Sequence, residues 1–164
     1  MYESIFTFAC TYAHSANLIE THGEETDKVA FLFPATVCQA FAIELFLKFF
    51  IVVDHPAICC KDDLKDHDIS FQKLGHSCSK MWDAVPAHHQ AEVVKHYKER
   101  SGASISEKQF RERLLEIDDN PFVKWRYVHE ENGFSFLRQD QLKLVTNALG
   151  YAAQSRMNQI RQAS

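Results

Sequence analysis

With 164 residues, the chain is long enough to fold as one domain around a real core and needs no second domain. Hydrophobic residues make up 46% and charged ones 24%, while 5 glycines and 4 prolines leave few tight turns; this composition suits a compact, helix-rich globule and excludes extensive disorder. The formal charge of −4 excludes wrapping of long duplex nucleic acid, which needs a broad basic face, and leaves a local basic patch open.

The first amphipathic pattern places Ile5, Phe8, Ala9, Tyr12, Ala16 and Ile19 at helical spacing and predicts a helix that ends near His22-Gly23, with Gly23 as its C-terminal cap. No basic n-region or cleavage-site pattern opens the chain, so no signal peptide is expected. A second helix is predicted from about Asp27 to Val53, apolar nearly all round like the central helix of a bundle, with Pro34 marking a kink or a late start. Gln39, Glu44 and Lys48 interrupt this run, and charges at mid-membrane are costly, so it is expected to be a buried core helix and not a span.

From Asp54 to Ser70 the pattern becomes a polar loop. A helix follows Gly75, with Cys78, Met81, Trp82 and Val85 facing the core, and Pro86 starts another that fades around Arg100, before Ser101-Gly102. Ser104 to Glu107 has the form of a capping box ahead of an apolar stripe of Phe110, Leu114 and Ile117. The last helix is expected from about Gln139 to Gln162, with Leu142, Val145, Leu149, Ala152, Ala153 and Ile160 inward. Between these two helices stands FVKWRYVHEE, residues 122–131, followed by Asn132-Gly133. Its β-forming residues and the Glu-Asn-Gly-Phe turn favour a short hairpin or extended segment near 122–137 over a helix capped by Asn120. The expected fold is all-α: an up-and-down bundle of about five to six helices carrying that segment.

Several residues have chemical potential. Glu44 and Lys48 lie four apart on the most apolar helix; either they pair with each other, or Glu44 pairs with Arg126 and locks residues 122–131 across the core. An extended backbone sends Trp125, Tyr127 and His129 to one side and Arg126 and Glu130 to the other. Arg126 suits a bidentate contact to a carboxylate or phosphate, and an arginine between Trp and Tyr is more often a stacked clamp. His76, after Gly75, is a candidate cap or proton carrier. His88, Glu92 and His96 share a helical face without an identifiable fourth ligand, and His55, Cys59, Cys60 and His67 share a loop in which adjacent cysteines are awkward joint ligands of one ion, so no metal or other cofactor is expected. The five cysteines, Cys10, Cys38, Cys59, Cys60 and Cys78, contain no C-x-x-C and fit reduced, buried thiols in a cytoplasmic protein.

Three stretches, AFAIELFLKFFI (Ala40 to Ile51), LGHSCSKMWDAV (Leu74 to Val85) and FVKWRYVHEE, resemble in order and spacing the HEPN (higher eukaryotes and prokaryotes nucleotide-binding) helical domains. The resemblance spans about residues 30–131. It implies a helical bundle that is often a homodimer, with RNA, a nucleotide or a protein encoded nearby as partner, in a bacterial stress or phage-defence setting of the toxin–antitoxin kind. Active members are metal-independent ribonucleases in which an Arg and a His stand four to six residues apart. Here the first arginine is Arg100, and the one histidine after it, His129, follows Arg126 with two residues between. The family's usual pair is absent, so the expected function is non-catalytic binding. The alternatives are an atypical ribonuclease using Arg126 and His129 and a purely structural dimerisation protein.

Overall fold

The computed structural model describes residues 1–119, apart from positions 56, 59, 61 and 68, and residues 139–163. The expected hairpin near 122–137, with Trp125, Arg126, Tyr127, His129 and Glu130, lies outside the described residues. Within them the chain is all-α, without a strand. The described residues form eight α-helices: α1 Tyr2–Thr26, α2 Leu32–Val52, α3 Asp63–Asp66, α4 Phe71–Leu74, α5 Cys78–Ala84, α6 Ala87–Ser101, α7 Glu107–Asp119 and α8 Gln139–Ala163. The excess over five or six comes from two single turns, α3 inside the expected polar loop and α4 between that loop and Gly75.

The first helix runs one turn beyond its expected end, because Gly23 serves another purpose. Asp27 takes the left-handed conformation (φ 53°), and Lys28 N–H bonds the Gly23 carbonyl at 3.0 Å in a Schellman-type closure. Gly23 sits buried inside the helix, where a Cβ would lie 2.9 Å from Cβ of Phe31. Its missing side chain lets the 3₁₀ turn Val29–Phe31 fold back closely onto α1. Pro34 falls in the first turn of α2, where its lacking N–H costs nothing, so the late start of that helix is what forms.

The C-terminal half of α2 is buried on nearly every side, with Ile43, Phe46, Leu47, Phe49 and Phe50 at 1% exposure or less. It packs against α1, α5 and α8, and α8 packs in turn on α6. Gly150 on α8 admits the Phe46 ring, to which an added Cβ would come within 3.3 Å. The stretch Val29–Val52 is long and apolar enough to cross a membrane by length and composition, and 61% of its most apolar window is buried inside the protein.

A second packing centre joins α5, α6 and α7 through Trp82, whose ring centroid lies 4.7 Å from that of Phe110, itself 5.6 Å from Tyr97. The expected apolar stripe of α7 is buried as read: Phe110, Leu114 and Ile117 all face inward. Its capping box is displaced by two residues, however. Ser106 and Gln109 exchange bonds, Gln109 N–H to Ser106 Oγ at 3.2 Å and Ser106 N–H to Gln109 Oε1 at 2.8 Å, the reciprocal arrangement expected of a capping box. Arg111 then fixes α7 to α5 with a forked contact to Asp83, at 2.7 and 2.8 Å.

Candidate functional site

Two of the three motif stretches meet in space. Glu44, on the partly covered face of α2, receives Lys48 Nζ at 2.5 Å on Oε1, and His76 Nδ1 lies 3.1 Å from both of its oxygens. Glu44 is 14% exposed, whereas the His76 ring is 84% exposed. The carboxylate is therefore an anchor that holds an outward-facing imidazole, and burial of the charge is offset by two donors of the kind a buried carboxylate requires. Lys48 also lies 5.5 Å from the Phe71 ring centroid, a cation–π contact that joins α4 to the same cluster.

His76 is not the cap of α5. Ser77 takes that place, and a carboxylate from another helix completes it. Asp118 on α7 accepts from Ser77 Oγ at 2.9 Å, from the backbone N–H groups of Cys78 and Ser79 at 2.6 and 2.9 Å, and from Ser79 Oγ at 2.5 Å. A charged acceptor at the positive end of a helix satisfies donors that have no intrahelical partner. Burial, and then the Asp118 charge, push the Cys78 thiol far above its ordinary value, so it is an inert core thiol. Cys10 and Cys38, both partly buried, are also pushed up by burial, while Cys60 is exposed.

A separate pocket of about 590 Å³ opens where the end of α2, the start of α6 and the later part of α8 converge. Tyr2, Phe50 and Ile160 give it apolar walls, and Asp54, His88, His89, Glu92 and Arg156 supply its polar groups. Asp54 Oδ2 stands 3.0 Å from His88 Nε2 and 3.1 Å from His89 Nε2, and its Oδ1 accepts from Arg156 at 2.9 Å. Burial pushes the Asp54 carboxyl up, but His89, Arg156 and His88 more than offset this and hold it below its ordinary 3.8. For His89, 5% exposed and packed on Phe50, burial dominates and lowers the imidazole below its ordinary 6.5 despite Asp54. His89 is thus neutral at neutral pH, with the Nε2 proton donated to Asp54.

That protonation state predicts an acid-sensitive fold. The unfolded chain binds a proton at His89 below about 6.5 that the folded chain resists, so stability is intact above that value and falls as pH drops toward the folded one. Asp54 adds a further loss only below 3.8. Chemical denaturation of chelator-treated protein from pH 7.5 to 5 is expected to give a decreasing unfolding free energy, with a flatter profile for His89→Gln. An unchanged slope in the variant would place the acid sensitivity elsewhere.

The structure divides the helical face expected to hold His88, Glu92 and His96. His88 turns to Asp54, whereas His96 lies 3.3 Å from Glu92 and 3.1 Å from Glu99. In the loop, the His55 and His67 rings approach to 5.3 Å between centroids, while Cys60 N–H bonds Asp63 and Cys59 lies outside the described residues. Asp54 and Arg156 are 102 positions apart, so no local spacing in the sequence pairs them. The chain matches no known protein-family model, no curated protein and no solved structure.

Proposed function

We propose that the chain is a HEPN-like helical bundle that binds RNA without cutting it, through the surface around His76. The observation that carries this reading is the meeting of the two motif stretches at Glu44 and His76. A carboxylate occupied by Lys48 and His76 serves to hold the imidazole, and the outward ring is flanked in the chain by Lys73 and Lys80, both exposed. An imidazole and two ammonium groups within eight residues of chain give this stretch local basic character in a chain of net negative charge, suited to a few phosphates of a single strand. Cytoplasmic location, self-association and a stress or defence role belong to the same proposal through the family resemblance.

The test is fluorescence anisotropy with labelled single-stranded RNA, run with electrophoresis of the same samples. Binding is expected to weaken with salt and to fall about tenfold in the double variant Lys73→Glu, Lys80→Glu, the loss of two phosphate contacts, with the RNA intact throughout. Absence of binding by the parent chain would overturn the proposal. Cleavage that disappears in His76→Ala would replace it with a ribonuclease.

A further inference from the structure

The pocket of Asp54, His88 and His89 has the donor set of a transition-metal site. We propose that it binds one divalent first-row transition ion, such as Zn²⁺, through Nε2 of both histidines and Oδ2 of Asp54. This goes beyond the RNA reading and stands independently of it, since no residue is shared between the two places.

The three donor atoms lie within 4.8 Å of one another, and the two nitrogen–oxygen separations, 3.0 and 3.1 Å, are near the spacing of adjacent ligands around an ion with bonds of about 2.0–2.2 Å. Small rotations of the side chains close the set. Two imidazoles and one carboxylate suit Zn²⁺ and its neighbours better than Mg²⁺ or Ca²⁺, which prefer all-oxygen shells. Arg156 does not compete for the ion's oxygen: it bonds Oδ1 and leaves Oδ2 to the histidines, the role of an outer group that orients a ligating carboxylate.

Charge and access agree with this assignment. Asp54 and Glu92 both line the pocket with Arg156; Glu92 is paired with Lys95 at 3.3 Å, so Asp54 is the carboxylate that would face the ion. His88 is 65% exposed, and the pocket is open, which leaves coordination positions for water or for a ligand atom. An imidazole ligates the ion through an unprotonated Nε2, with the ring proton on Nδ1.

The experiment uses the full chain stripped with chelator and titrated with Zn²⁺ by calorimetry and with Co²⁺ by visible absorption. One equivalent is expected to bind, with d–d bands of a nitrogen and oxygen environment and no thiolate charge-transfer band. His88→Ala, an exposed position whose loss leaves the core intact, and Asp54→Asn are each expected to weaken binding at least tenfold, at the low end of what second-sphere changes alone produce. Cys60→Ser is expected to change nothing. The proposal is overturned if the parent chain takes up neither ion, if the equivalent survives in His88→Ala and Asp54→Asn, or if a thiolate band appears.

Discussion

Replacing Trp82 by alanine is expected to lower the unfolding free energy by about 3–5 kcal/mol, the range for emptying a large aromatic site in a close-packed core. Trp82 is 2% exposed and joins α5 to α7 through the Phe110 ring. Its carbonyl also accepts Gln90 Nε2 at 2.7 Å, tying α5 to α6. The backbone bond survives the substitution, so the loss is one of packing, and Trp82→Phe is expected to recover a large part of it. Equilibrium denaturation in urea is the measurement. A loss below about 1 kcal/mol for the alanine variant, within the range of an ordinary surface change, would mean that α5 does not seat this ring in the core.

The second large effect is expected at Asp118. Removing its carboxylate in Asp118→Ala leaves the first turn of α5 without the acceptor for two backbone N–H groups and two serine hydroxyls. A lost N-cap costs about 0.5–2 kcal/mol, and bonds to a charged group about 1.5–3 kcal/mol. Ser77 Oγ still accepts from Lys80 N–H and water reaches part of the site, so a net loss of about 2 kcal/mol is expected. Asp118→Asn keeps one acceptor oxygen and should fall between the parent and the alanine variant. The effects of Asp118→Ala and Ser79→Ala should add to less than their sum, since they share one interaction. Full additivity in urea denaturation would contradict the shared cap.

Helix positions were legible wherever one strong period fixed the inward face. The stripes of α7 and of α8, and Cys78, Met81, Trp82 and Val85 around α5, turn inward as the spacing predicts because burial of those side chains is itself what selects the helix face. Ends were less legible, since several residues satisfy the same local rule. Ser104-x-x-Glu107 and Ser106-x-x-Gln109 both fit a capping box, and only packing against α5 decides where the apolar stripe must begin. Gly23 fits a C-cap equally well by sequence, and the close approach of Phe31, a tertiary fact, gives it a different role.

The pairing of Lys48 with Glu44 was legible as a four-residue spacing, but His76 as Glu44's second partner was not, being 32 positions away. The pocket was less visible still. Counting by four along α6 joins His88 to Glu92 and His96, yet side chains in the first turn of a helix lean back toward its N-terminus, which brings His88 and His89 to Asp54 at the end of α2. One cue was present: two adjacent histidines just after Pro86 sit at the positive end of a helix, a place where imidazoles favour a carboxylate beside them.

Mapping of backbone amide shifts during titration of the full chain with a short single-stranded RNA tests the proposed RNA-binding surface around His76. The predicted result is a contiguous set of shifts over Lys73–Lys80 with Glu44 and Lys48 responding, and no strand scission over the course of the titration. Shifts confined to Asp54, His88, His89 and Arg156, or no shifts at all, would contradict it.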